Sequence, residues 1–123
     1  MEVRARIVRD RTYLVMAEEN DLSRLFANAT SFDWDENKRR SNVFKHGIDF
    51  VDAKDVFYDP AASTFASPQT GGEHRYITVG SMRGVLITVV STRRGKSVRI
   101  ISARSARRNE RQRYGAEGQK QTR

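Results

Sequence analysis

Cysteine is absent from these 123 residues, so neither a disulfide framework nor a thiolate metal site can form. That absence fits a reducing compartment, and the expected location is the cytoplasm. Histidine occurs twice, as His46 and His74, which leaves little room for a two-histidine catalytic pair. No apolar run reaches the roughly 20 residues needed to cross a bilayer. The arginine-bearing start, MEVRARIVRDRTYLV, lacks the sustained apolar stretch of a secretory signal. No membrane association is expected. Metal-ligand spacings such as H-x-x-x-H or D-x-D-x-D-G are missing as well. Most of Asp33, Asp35, Glu36, Asp49, Asp52, Asp55 and Asp59 fall in the first turns of two expected helices, where capping and the helix dipole favour acids. Neither a metal nor another cofactor is therefore expected.

What the chain has in excess is positive charge in one place. Between Arg93 and Arg113 nine basic residues stand against Glu110 alone, and the resulting +8 equals the formal net charge of the whole chain. A cationic surface concentrated on one element is the electrostatic footprint of a polyanion binder. The pI near 10.4 favours nucleic acid over anionic lipid or an acidic protein. The length suits one domain with a modest core.

Periodicity divides the chain into an N-terminal extension (1–30), a main unit (31–115) and a polar tail (116–123). Within the extension, Val3, Ala5 and Ile7 alternate with charged residues, and Leu22, Leu25, Phe26 and Ala29 have helical spacing after Asp21. From Phe32 onward the pattern sharpens. Phe32 and Trp34 alternate with Asp33 and Asp35, as in a short strand with its aromatics towards a core. Asp35 opens a helix that Gly47 stops in the left-handed region. On it Val43 and Phe44 define a narrow apolar side, and Lys38, Arg39, Asn42, Lys45 and His46 cluster on the opposite arc as a mostly basic outer face. Asp49 caps a second helix with Phe50, Ala53 and Phe57 inward, and Pro60 ends it. The two helices are expected to pack as a hairpin.

Beyond Pro60 the period changes to two. Strands are expected at Ser63–Ala66, His74–Ser81, Val85–Ser91 and Ser97–Ser102, with tight turns at Met82-Arg83-Gly84 and around Gly95. Their short connections predict an antiparallel meander. Ser102 or Ser105 then caps a closing helix that Gly115 ends. The order β-α-α-β-β-β-β-α is α+β, with the helices on one face of the sheet.

Two stretches carry a family resemblance. FDWDENKRRSNVFKHGIDFVDAKDVFYDP (Phe32–Pro60) and RYITVGSMRGVLITVVSTRRGKSVRIISARSARRNERQRY (Arg75–Tyr114) resemble the BrnT family of bacterial type II toxins. The most specific pieces are the F-x-W-D-E-x-K entry, the K-H-G helix end and the R-I-I-S-A-R-x-A-x-x-x-E-x-x-x-Y close. The resemblance implies a RelE-like fold, here two N-terminal helices packed on a four- to five-stranded, mostly antiparallel sheet with a C-terminal helix. It implies a ribonuclease that arrests translation. It also implies a cognate, BrnA-like ribbon-helix-helix antitoxin, in a toxin2-antitoxin2 complex that binds operator DNA.

Metal-free RNA cleavage needs a base near the 2′-hydroxyl, cations around the non-bridging oxygens and an acid for the departing 5′-oxygen. Arginine suits the middle task, because its fork grips two phosphate oxygens and keeps its charge. Arg75, Arg99 and Arg104 are the candidates for phosphate or transition-state contact. Arg75 and Arg99 read equally well as solvated surface arginines, and strand alternation decides which face each reaches. His46 is a secondary catalytic candidate, since imidazole chemistry suits proton transfer near neutrality; a capping role explains it equally well. Lys45 beside it interacts favourably with the helix dipole. Arg107, Arg108, Arg111 and Arg113 read as general contacts to RNA or antitoxin. Glu110 shares a helical stripe with Ala106 and Tyr114. An ion pair with Arg107, Arg113 or Arg99 is favoured for it over a general base, and Tyr114 is expected to pack with its hydroxyl satisfied.

Two other functions suit the same residues. A non-catalytic RNA- or DNA-binding module would show steep salt dependence and no turnover. A pure interaction protein docking an acidic partner would show no affinity for RNA.

Overall fold

The computed structural model describes residues 31–68 and 72–114. The elements expected in segment 1–30, the stop at Gly115 and the tail 116–123 lie outside the described residues. In chain order the elements are β1 (Ser31–Trp34), α1 (Glu36–His46), α2 (Phe50–Ala53), a 3-10 turn (Lys54–Tyr58), β2 (Ser63–Ala66), β3 (Tyr76–Met82), β4 (Val85–Arg94), β5 (Ser97–Ser105) and α3 (Arg108–Arg113).

Turn chemistry builds the meander. Arg83 and Gly84 connect β3 to β4, and both have positive φ (54° and 83°), the signature of a type I′ hairpin. Gly95 and Lys96 connect β4 to β5, with Gly95 at φ 60°. Pairing therefore runs further than expected, to Arg94 on β4 and to Ser105 on β5.

The sheet is nonetheless mixed. Its order is β1-β5-β4-β3-β2. The β2 to β5 pairs are antiparallel, but β1 lies parallel to β5, Phe32 opposite Val98 and Trp34 opposite Ile100. This overturns the expected two-helix hairpin on a mostly antiparallel sheet. Among the described residues the only long helix is α1, directly after β1, and the second expected helix lasts four residues before tightening. Hairpin lengths report the pairing of sequential strands; the direction of β1 depends on a partner more than 60 residues away, which short connections do not encode.

The tightening at Lys54 has a packing cause. Phe50, Ala53 and Val56 are spaced by three and all are fully buried, and a helix of three residues per turn keeps such a series on one line. Phe50 alone contributes about 2 kcal/mol by its burial. The 3-10 turn lies so close to β3 that a Cβ on Gly80 would come within 2.9 Å of the Val56 Cβ. These residues join Ile48, Ile87, Val89, Ile100 and Ala103 in the main core, against which Phe32, Trp34 and Phe57 pack.

Helix α1 differs from its expected orientation. Asp35 caps it, accepting from the Asn37 and Lys38 amides at 2.8 and 3.1 Å, and Gly47 ends it at φ 70°. Yet Val43 is exposed and Phe44 is 92 % exposed; the only buried residue of the helix is Asn42. The Asn42 amide donates to the carbonyls of Ile48 and Ala103, both at 2.8 Å, and accepts from the Ala103 N–H at 3.1 Å. Helix α3 corrects a second expectation. It lies on the other face of the sheet, tied to Thr88 of β4, and Arg107 rather than a serine stands at its N-cap.

Candidate functional site

Arg99 and Arg104 lie five residues apart on β5, and in a regular strand an odd spacing sends two side chains to opposite faces. The pairing with β4 shifts register between Val90 and Ser91: Val90 faces Ser102 but Ser91 faces Ile100, leaving Ile101 as an extra residue. This bulge reverses the alternation. Ile100 and Ala103 both reach the core, while Arg99 stands opposite Thr92 and Arg104 opposite Thr88. Thr92 and Thr88 are four apart on β4 and share a face, so Arg99 and Arg104 do too. Their rows lie about 13 Å apart at ~3.3 Å per residue.

Arg75 joins them. The β2–β3 ladder continues past the strand, with the Ser67 N–H donating to the Arg75 carbonyl at 2.9 Å. Arg75 thus keeps the parity of Ile77 and Val79, which face Val90 and Thr88. The three candidate arginines line one side of the sheet, opposite the α1–α2 layer.

Their surroundings differ. Arg99 is half-buried and lies 3.5 Å from Asp33, its partner in the parallel register, in an ion pair of the weak, partly solvated kind. Arg104 is held firmly. Its Nη1 and Nη2 each donate to one Glu110 oxygen at 2.8 Å, and Nη1 also donates to the Ser105 carbonyl at 3.3 Å. Glu110 further accepts from the Thr88 hydroxyl and the Arg107 N–H, both at 2.8 Å. Hydrogen bonding from Arg104, outweighing the cost of burial, pulls the Glu110 carboxyl down to about 2. The same pairing raises Arg104. At neutral pH Glu110 is an anion whose Oε1 accepts three hydrogen bonds and whose Oε2 accepts one, which suits orienting a cation better than accepting a substrate proton.

The rest of α3 is anchored at its far end. The Tyr114 hydroxyl donates to Asp59 Oδ2 at 2.9 Å, and the same oxygen accepts from the Ser81 N–H at 2.8 Å. Burial first, then the Asp59 carboxylate, raises the Tyr114 pKa, as befits a packed phenol. The Arg113 guanidinium lies 3.9 Å over the Phe65 ring, while Arg107, Arg108 and Arg111 point to solvent. Lys45 and His46 end α1 in the opposite layer, both exposed, and His46 is not brought to the arginines.

Two contributors were not identified from the sequence. Thr88 is fully buried in the apolar run of β4, and a buried hydroxyl there signals a polar partner. Asp33 reads in sequence as one of a set of mostly capping acids, although its alternation with Phe32 and Trp34 puts it on the opposite face from the core. Four other acids are paired as well: Glu36 and Asp49 with Arg39, Asp52 with Arg83, and Glu73 with Arg94. No described helix is long and apolar enough to cross a membrane.

A family model described as the ribonuclease toxin BrnT, of a type II toxin-antitoxin system, matches residues 34–110, more than half of the chain and the span from β1 to Glu110. No curated protein matches the chain.

Proposed function

Because the chain belongs to the BrnT family of type II toxin-antitoxin ribonuclease toxins, we propose that it is an endoribonuclease that cuts RNA by attack of the substrate's own 2′-hydroxyl, without a metal, and so inhibits translation in the cytoplasm. The observation that carries this reading is the alignment of Arg75, Arg99 and Arg104 on one sheet face beside a basic helix. In such a reaction the 2′-oxygen bonds to phosphorus, the bond from phosphorus to the 5′-oxygen breaks, and a 2′,3′-cyclic phosphate and a 5′-hydroxyl remain. Charge accumulates on the non-bridging oxygens, where fixed guanidinium groups act most strongly. Arg104, the most firmly hydrogen-bonded of the three, faces those oxygens; Arg99 and Arg75 grip the flanking phosphates, and Arg107, Arg108 and Arg111 extend the cationic track. The working unit spans residues 31–115.

The family implies a cognate antitoxin. We assign it to the BrnA-like ribbon-helix-helix class, covering this arginine face in a toxin2-antitoxin2 complex that binds operator DNA. The test is cleavage of an RNA oligonucleotide by the purified protein in EDTA, with mass analysis of the new ends. Cyclic phosphate termini, and a drop of about 100-fold or more for Arg104→Ala in a folded protein, are expected. Salt-sensitive binding without turnover would instead identify a non-catalytic binding module.

A further inference from the structure

An arginine side chain carries five N–H donors arranged as two forks and one lone proton. Three of the five on Arg104 are engaged within the protein. Glu110 takes the end-on fork, one proton each from Nη1 and Nη2, and the Ser105 carbonyl takes the second Nη1 proton. The remaining two, on Nε and Nη2, point the same way and meet no acceptor among the described residues. They form a second fork of the same width as the first, on a side chain that is 18 % exposed.

Glu110 is itself immobilised. Its Oε1 accepts from Arg104, Thr88 and the Arg107 amide, and its Oε2 from Arg104. Thr88 is a fully buried residue of the central strand β4, so the carboxylate is fixed to the sheet and not only to α3. A guanidinium held in this way has already given up the rotamer freedom that phosphate binding otherwise costs. Arg99 offers a contrast on the same face, with one carboxylate at 3.5 Å and no bidentate grip.

We propose that Glu110 is a positioning residue: by occupying the end-on fork of Arg104 it aims the free Nε–Nη2 fork at the two non-bridging oxygens of the phosphodiester being cut. This rests on the reading of the arginine face as an RNA-cleaving surface and adds a division of labour to it. Arg104 touches the phosphate, and Glu110 acts only through Arg104.

A double-mutant cycle tests the dependence. Single-turnover cleavage of an RNA oligonucleotide is measured for wild type, Glu110→Gln, Arg104→Ala and the double variant, with binding of the 2′-deoxy oligonucleotide and thermal melts alongside. Glu110→Gln is expected to slow cleavage by about 10- to 100-fold while changing binding less than about threefold. In the Arg104→Ala background the same change is expected to cost nothing further. Multiplying losses would overturn the proposal, because Glu110 would then act by its own route or through stability alone. Arg104→Lys gives a second arm that does not depend on Glu110→Gln folding. Lysine keeps the charge but has no second fork, so activity is expected to fall to within about threefold of Arg104→Ala. Retention of most wild-type activity would overturn the proposal. If the wild type does not cleave, the ribonuclease reading fails. The positioning role falls with it, whereas a wild type that cleaves while the two losses multiply overturns the positioning role alone.

Discussion

Helices α1 and α3 are attached to opposite faces of the same sheet, each through one buried polar residue. Asn42 reaches the backbone of Ala103, and Glu110 reaches the side chain of Arg104, the next residue along β5. The difference lies in what each attachment satisfies. The amide of Asn42 closes backbone groups that would otherwise be orphaned and carries no charge, so its contribution is purely architectural. The carboxylate of Glu110 closes a side-chain cation on the arginine face, so its contribution varies with protonation. One strand segment is thus held from behind by a neutral group and from the front by a charged one.

The contrast breaks down if Asn42 is dispensable. Replacing it with alanine leaves the Ile48 carbonyl and both polar groups of Ala103 without partners in a buried setting, and a loss of about 3 kcal/mol in urea unfolding is expected. A loss below about 1 kcal/mol would show that α1 is held by something else. The charged attachment is sharpened by acid. Its folded-state pKa of about 2 lies below the ordinary carboxylate value of 4.5, so its stabilisation is complete above about pH 4.5 and disappears as pH falls towards 2. Wild type is expected to lose about 2 kcal/mol across that window through this group. Glu110→Gln should remove that part of the acid limb, and Asn42→Ala should keep it; chemical denaturation at a series of pH values measures both. At the far end of α3, Arg113→Ala removes the stacking on Phe65 and should cost about 0.5 kcal/mol. Smallest of all, Phe44→Ser on the outer side of α1 should leave stability within about 0.5 kcal/mol, and a larger loss would mean that this ring is packed.

Much of the local structure was legible because it is set by neighbours in sequence. Asp35, Asp49 and Gly47 cap where capping chemistry places them, and the turns before Val85 and Ser97 fall at their glycines. The misreadings share a long-range origin. The apolar character of Val43 and Phe44 predicts an inward side with Asn42 on the outer arc, yet the distant carbonyl of Ala103 draws Asn42 inward instead. Helical spacing offers Arg107 and Arg113 to Glu110, and the last strand offers Arg99, whereas the partner is Arg104, six residues back across the junction of strand and helix. The parallel pairing of β1 needed a partner that no turn announces. Among the candidate residues, Arg104 and Glu110 stood in the motif, but their geometry became visible only once the bulge had put Arg104 on the same side of the sheet as α3.

That single unpaired residue, Ile101, makes the arginine face a matter of counting. Deletion of Ile101 shortens the spacing from Arg99 to Arg104 to four, and plain alternation then keeps both arginines on one face with Ile100 and Ala103 still in the core. The bulge is thus what an odd spacing requires: five residues with it and four without it present the same face, whereas five residues paired without a bulge would turn Arg104 into the hydrophobic layer.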